Sequence, residues 1–71
     1  MRDLNFALRG DFIELHKLLK LLGLSDSGGS AKQLVASGAV SVDSEVELRK
    51  SCKIRAGQVV TLQDVRITVT A

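Results

Sequence analysis

The 71 residues are enough for one domain, and a chain of this size buries only about 60% of its unfolded surface, so we expect a simple fold with a small core. The composition is 45% hydrophobic and 25% charged, which argues against a disordered chain. The formal net charge is only +2, but four of the ten basic side chains lie in RKSCKIR at 49–55, as expected of a local footprint for an anionic partner.

The same sequence argues against export, membrane insertion and metal binding. The longest apolar stretch, LLKLLGL, is interrupted by Lys20 and is much shorter than a membrane span. The first residues, MRDLNFALRGD, lack the apolar run and cleavage site of a secretory signal. A single cysteine, Cys52, permits neither an internal disulfide nor a thiolate zinc site. We therefore expect a cytoplasmic protein with no cofactor, no metal and no membrane partner, and with Cys52 as a packing residue or an idle thiol.

The first third of the chain predicts a strand and then a helix. Alternating apolar residues over Leu4–Leu8 predict a half-buried strand that ends at Gly10. Asp11 and Glu14 have the spacing of a capping box. The first helix is therefore predicted from about residue 12 to 22, with an apolar stripe formed by Phe12, Leu15, Leu18, Leu19 and Leu22. His16 is expected at the boundary of this helix.

The segment SDSGGSAKQLVASG at 25–38 predicts a second helix. Gly23 and Leu24 have the pattern that closes the first helix in a Schellman motif, and the serines at 25–27 offer N-caps for the second. This helix is expected to end at Gly38 and to bury Ala31, Leu34 and Val35.

After Gly38 the apolar period changes from that of a helix to that of strands. VSVDSEVEL predicts a hairpin that turns at Asp43-Ser44-Glu45, and QVVTL predicts a strand after the turn at Gly57. In VRITV the residues Val65, Ile67 and Val69 are expected to face inward. The predicted class is α+β, with two short packed N-terminal helices against a small, mostly antiparallel sheet of four to five strands. Pairing of Leu4–Leu8 with Val65–Val69 is expected to bring the termini together.

The two glycines that open the second helix, Gly28 and Gly29, have two interpretations. An exposed helix start presents unpaired N–H groups and a partial positive charge, and glycine lets a phosphate approach that backbone closely. Hydroxyl groups of Ser27 and Ser30 would add donors to the phosphate oxygens. Alternatively, the glycines allow close packing of the turn between the helices, or are simply tolerated near a cap. The first interpretation predicts a phosphate cradle.

The basic residues suggest a surface that extends this cradle. Lys32 lies one turn into the second helix, outside its apolar stripe, and the cations of 49–55 fall in a loop or short strand. Lys17 and Lys20 either extend the surface or are ordinary solvated side chains of the first helix.

The ordered set of elements resembles a known family, the S-four (αL) RNA-binding domain, from Leu15 to Leu62. AKQLVASGAVSVD is similar to the family's helix exit, small-residue turn and first strand, and IRAGQVV to its late glycine and following strand. SGGSAK and the short length are most similar to the stand-alone bacterial members called YbcJ-like. This sequence departs from the family at Gly28, where longer members often have an arginine, and at Asp43-Ser44, where the turn usually reads Asn-Gly.

The resemblance implies that segment 49–55 lies beside the start of the second helix. The expected RNA-binding residues are then Ser27, Gly28, Gly29, Ser30, Lys32, Arg49, Lys50, Lys53 and Arg55. Since the chain has no Trp or Tyr, and since Phe6 and Phe12 both fit core positions, we expect recognition of RNA shape and phosphates and no stacking on bases.

The expected function is a non-catalytic, monomeric module that binds structured RNA, ribosomal or transfer RNA above all, and acts on no small molecule. No nucleotide-binding loop, nucleophile motif or metal-ligand spacing points to an enzyme. The alternative is a protein–protein adaptor on a larger RNA-processing or ribosome-associated factor. A ubiquitin-like sulfur carrier is excluded because such carriers end in Gly-Gly, whereas this chain ends in TVTA.

Overall fold

A computed structural model describes residues 2–71, which form two helices and seven strands. Five strands make one sheet in the order β1-β7-β6-β3-β4, and β2 and β5 make a separate two-stranded ribbon. All pairs of the larger sheet except β1–β7 are antiparallel, which confirms the predicted α+β class. The elements are β1 (Arg2–Ala7), β2 (Ile13–Glu14), α1 (Leu15–Leu21), α2 (Gly28–Ala36), β3 (Val40–Val42), β4 (Glu45–Val46), β5 (Lys53–Ile54), β6 (Val59–Leu62) and β7 (Val65–Thr70).

The first and last strands pair as predicted, but in parallel. Arg2 lies opposite Val65 and Ala7 opposite Thr70. A parallel pair requires a long connection, which the helices and the other strands provide. The expectation that this pairing brings the termini together is therefore wrong, because the start of β1 and the end of β7 lie about five residues apart along the sheet, or ~17 Å.

Helix α1 is shorter at its start than predicted. It begins at Leu15, and its N-cap residue Glu14 makes no side-chain cap hydrogen bond, so the predicted capping box of Asp11 and Glu14 is wrong. Residues 13 and 14 instead form β2, in which Ile13 pairs with Ile54 and Glu14 with Lys53. This strand pairing competes with a further helical turn for the backbone groups of the stretch.

Both helices end at the predicted glycines, and the Schellman motif predicted for the first helix closes the second one as well. Gly23 has φ 73° and Gly38 has φ 82°, a conformation that favours glycine. The N–H of Leu24 donates to the carbonyl of Leu19 at 3.0 Å, and the N–H of Ala39 to that of Leu34 at 3.4 Å. Neither helix of residues 2–71 is long and apolar enough to cross a bilayer.

The core lies between the two helices, the ribbon and the inner face of the sheet. The inward positions of β7 are buried as predicted, whereas Leu22 and Leu34 are only half-buried. Val46 and Leu48, in the returning part VEL of the predicted hairpin, are each 61% exposed, and β4 contains only two residues. The fully buried larger side chains are Leu15, Leu18, Leu19, Val35, Val40, Ile54, Val60, Ile67 and Val69.

The β3–β4 hairpin turns on two residues with positive φ. Val42 pairs with Glu45, and Asp43 and Ser44 between them have φ values of 52° and 72°. Positive φ at both central positions is the signature of the type I′ turn that the right-handed twist of a hairpin favours. The turn thus keeps the geometry usually made by Asn-Gly. Ser44 adopts this left-handed conformation at a cost in free energy, because it has a Cβ atom and glycine does not.

Candidate nucleic-acid interface

The amino end of α2 is exposed and capped by its own serine. Ser27 is the N-cap residue, and its side-chain oxygen accepts a hydrogen bond from the Ser30 N–H at 3.1 Å. This confirms the predicted cap and uses one of the orphan donors of the first turn. Gly28 is the first residue of α2, and Gly29 follows it at the surface.

The space around Gly29 is open. A Cβ added there would meet only the Ser27 hydroxyl oxygen, at 3.9 Å, which is an ordinary van der Waals distance. Gly29 also has no positive φ. Neither close packing nor backbone conformation therefore requires glycine at this position, which leaves the approach of a ligand, or tolerance near a cap, as its explanation.

The basic segment 49–55 is held against the amino end of α1. The N–H of Leu15 donates to the carbonyl of Cys52 at 2.9 Å, and the N–H of His16 donates to that of Lys50 at 3.0 Å. These bonds satisfy two orphan donors at the start of α1, and the β2–β5 pairing continues the attachment. These bonds hold the charged segment 49–55 in one position relative to α1.

Arg49 is already bound to a carboxylate. Its Nε lies 3.0 Å from Glu47 Oε2 and its Nη2 3.1 Å from Glu47 Oε1, and the Arg49 backbone N–H donates to the same carboxylate at 3.0 Å. These bonds lower the pKa of Glu47 to about 2. The pair is net neutral at pH 7, although Arg49 Nη1 has no hydrogen-bond partner within residues 2–71. Arg49 can therefore offer a donor but little net charge.

The other cations of the predicted site are free. Lys32, Lys50, Lys53 and Arg55 are exposed, and none of them has a carboxylate within 4.0 Å in the part of the chain that the structure describes. By contrast, Lys17 Nζ lies 3.0 Å from Glu14 Oε1, and this hydrogen bond lowers the pKa of Glu14. Unpaired cations retain their full attraction for an anion.

Phe12 belongs to this surface, and sequence reasoning placed it in the core instead. Its side chain is 41% exposed, with Lys53 Nζ 5.0 Å and Arg55 Cζ 5.6 Å from the centre of the ring. Both distances are within the range of cation–π attraction. The signal that could have revealed it is the alternation of Phe12-Ile13-Glu14 and of Lys53-Ile54-Arg55, each typical of a strand with one buried face.

Cys52, the single cysteine of the chain, lies within the basic segment. Burial, followed by the neighbouring Glu47, raises the pKa of the Cys52 thiol, so Cys52 is a poor nucleophile at neutral pH. Cys52 is half-buried and packs against the core. Within residues 2–71 no group of three or more His, Cys, Asp or Glu side chains could hold a metal ion.

Segment 49–55, one half of the predicted site, is hydrogen-bonded to the amino end of α1. The other half, at the start of α2, follows α1 after the six residues 22–27. No hydrogen bond or ion pair found among residues 2–71 joins segment 49–55 to residues 27–32. The seven residues of α1 span about 10 Å at 1.5 Å per residue.

Two short helices packed on a mostly antiparallel sheet, together with an S4 domain family model that matches residues 6–70, show that this chain belongs to the S4 domain family. This is the family that the sequence resembles, and its stand-alone YbcJ-like type is the one matched. The chain is 51% identical over 59 residues to YbcJ of Escherichia coli (strain K12), a protein provisionally named for RNA binding, covering 83% of this chain and 84% of the relative. The YbcJ protein of Shigella flexneri matches to the same extent. The solution structure of Escherichia coli YbcJ, described as revealing an αL motif involved in RNA binding, is similar with a TM-score of 0.73 and 47% identity over 94% of this chain and 86% of that one.

Proposed function

We propose that this protein is a non-catalytic module that binds structured RNA, ribosomal or transfer RNA, through phosphate contacts, and that it acts in the cytoplasm as a monomer. The observation that carries the proposal is the group of unpaired cations Lys50, Lys53 and Arg55 on a segment fixed by hydrogen bonds to α1. Membership of the S4 domain family, and the RNA-binding motif described for Escherichia coli YbcJ, support it.

Each part of the site has its own role in the proposal. The amides of Gly28 and Gly29 donate to phosphate, assisted by the hydroxyl groups of Ser27 and Ser30. Lys32 and the three unpaired cations of 49–55 supply charge, and Arg49 donates through Nη1 while its net charge stays balanced by Glu47.

One RNA carries enough phosphates for both halves of the site. Duplex nucleic acid has about one phosphate charge per 1.7 Å of axis, so a stretch as long as α1, ~10 Å, carries about six phosphates. A helical or folded RNA therefore offers a row of anions to the cations of segment 49–55 and to the start of α2, which is what polyanion recognition requires.

A salt-dependent titration tests the proposal. A structured stem-loop RNA is titrated with the protein at several salt concentrations, and the slope of log K against log salt is measured; each phosphate contact contributes roughly 0.7–0.9 to the slope. We expect a slope of several units. Lys50→Ala with Arg55→Ala is expected to reduce the slope by about 1.5, because two contacts are lost.

The matched control is Arg66→Ala with Lys53, Lys50 and Arg55 intact. Arg66 lies on the outer face of β7 in an ion pair with Asp3, with Nε 2.8 Å from Oδ1, so its removal changes net charge away from the helices. We expect the slope to be unchanged in this variant. A flat response in the wild type, or equal losses in the control and in the double variant, would refute the assigned surface.

A second candidate is a protein–protein adaptor, favoured by the exposed pair Val46 and Leu48. Val46 lies in the edge strand β4 and Leu48 two residues after it, and both are 61% exposed, so that an added strand could pair at this edge. This function predicts that the purified protein does not bind RNA at low salt, whereas one protein partner is retained from a nuclease-treated extract. Val46→Ser with Leu48→Ser should then abolish retention.

A further inference from the structure

The β2–β5 ribbon has one buried and one exposed face. Ile13 and Ile54 pair across it, and Ile54 is completely buried in the core. Because side chains alternate along a strand, Glu14 and Lys53 lie on the opposite face, and Phe12 and Arg55 continue that face by one residue each. The exposed face therefore brings an aromatic ring and two cations together.

We propose that Phe12, with Lys53 and Arg55 beside it, is a stacking site for one unpaired base of the bound RNA. This inference rests on the proposed function. It adds the recognition of an unpaired base, which phosphate contacts alone do not distinguish from a paired one. The Phe12 ring is 41% exposed, while the chain's other aromatic residue, Phe6, is half-buried against the core. The expectation of no stacking on bases depended in part on a core position for Phe12, and the structure exposes that residue.

The chemistry of the cluster favours a nucleobase. A flat π surface stacks on any base, and a guanidinium plane such as that of Arg55 can extend the stack. Lys53 and Arg55 are free of carboxylates among residues 2–71, so they can contact the phosphates on either side of the stacked nucleotide. Glu14, the acid on the same face, is neutralised by Lys17 at 3.0 Å and so repels the RNA little.

Neighbouring residues leave room for an extruded base. A surface groove beside Phe12 is lined in addition by Phe6, Leu8, Arg9, Ile13 and Leu21, and Leu21 is 67% exposed. Arg9, which also lines the groove, adds one further cation to its mostly apolar walls. An unpaired loop or bulge nucleotide has the flat apolar faces and the adjacent charge that this arrangement complements.

The test compares two RNAs that share one stem. The first carries a loop with 2-aminopurine at an unpaired position, and the second is the blunt, fully paired duplex. Phe12→Leu keeps an apolar side chain of similar size but removes the ring, and Phe12→Trp restores a larger ring. We expect Phe12→Leu to weaken binding of the looped RNA about tenfold and to leave the duplex affinity and the salt slope unchanged. Wild type and Phe12→Trp should quench the 2-aminopurine fluorescence, and Phe12→Leu should not.

The outcomes separate this inference from the proposed function. If the wild type binds both RNAs with a steep salt dependence but Phe12→Leu has no effect, the stacking site is wrong and the RNA-binding module stands. Equal losses on loop and duplex would also overturn stacking, because the ring would then act through the fold. If Phe12→Leu loses a protein partner but keeps its RNA affinity, Phe12 is a protein contact and the stacking proposal is wrong. If the wild type binds neither RNA, both proposals fail.

Discussion

Gly29→Ala separates the two explanations for the glycine at the start of α2, because it is expected to change stability and RNA affinity in opposite directions. The new Cβ meets only Ser27 Oγ, at 3.9 Å, and Gly29 has no positive φ, so alanine fits without strain. Alanine also has fewer conformations to lose when the chain folds. The substitution should therefore stabilise the protein.

The magnitude follows from the position in the helix. Glycine costs about 0.8–1.0 kcal/mol relative to alanine in a helix interior, and we take about half of that for the first turn. A gain of ~0.5 kcal/mol raises Tm by about 2–4 °C for a domain of this size. If the Gly29 amide binds phosphate, the methyl group obstructs it, and loss of one hydrogen bond to a charged group, about 1.5 kcal/mol, weakens RNA binding roughly tenfold.

The assay measures thermal unfolding and stem-loop affinity on the same preparations. Ala36→Gly, at the exposed carboxyl end of α2, is the matched control: it should lower Tm and leave affinity unchanged. A Gly29→Ala protein that is more stable and binds RNA as well as the wild type would show that the glycine is merely tolerated near the cap. A less stable one would show that the space around Gly29 is not open.

Three further predictions concern the hairpin and the segment after it. Ser44→Gly should raise stability by about 0.5–1 kcal/mol in urea unfolding, because Ser44 has φ 72°, and an unchanged midpoint would contradict the strain. Glu47 has a pKa of about 2 in the folded protein against a usual 4.5, so its ion pair with Arg49 stabilises the fold above pH 4.5 and this stabilisation is lost as the pH falls from 4.5 toward 2. In Glu47→Gln the unfolding midpoint should therefore depend less on pH across that window. An equal pH dependence in the variant and the wild type would refute the contribution of this ion pair. The same variant frees the charge of Arg49 and should tighten RNA binding several-fold at low salt, whereas Arg49→Ala should weaken it less than Lys50→Ala does, as measured by titration.

Local patterns predicted those parts of the fold that depend on local interactions. The alternation of Val65, Ile67 and Val69, and the glycines at both helix ends, each act within a few residues. The β2–β5 ribbon is different, because Ile13 and Ile54 pair across about forty residues of chain and each strand has only two residues. Two residues are too few to show the alternation of a strand, and Phe12 happens to fit the helical spacing of the leucines that follow it.

The candidate site shows the same division. The exposure of Lys32, Lys50 and Lys53 follows from their polarity. The capping role of Ser27 follows from its position directly before a helix. The pairing of Arg49 with Glu47 depends on the path of an irregular segment, which no periodicity encodes. The place of segment 49–55 at the amino end of α1 was likewise set by tertiary hydrogen bonds.

The parallel neighbour of β1 imposes an order on assembly during synthesis. β1 emerges first, yet the only strand beside it in the sheet is β7, whose partner residues are the last of the described elements to be made. Until then the edge of β1 has unsatisfied amides and carbonyls, and closing so long a loop carries an entropic cost that local hairpins avoid. Deleting β7 would therefore leave β1 without a neighbour, whereas β6 would keep its pairing with β3, so the last strand decides whether the first one joins the sheet.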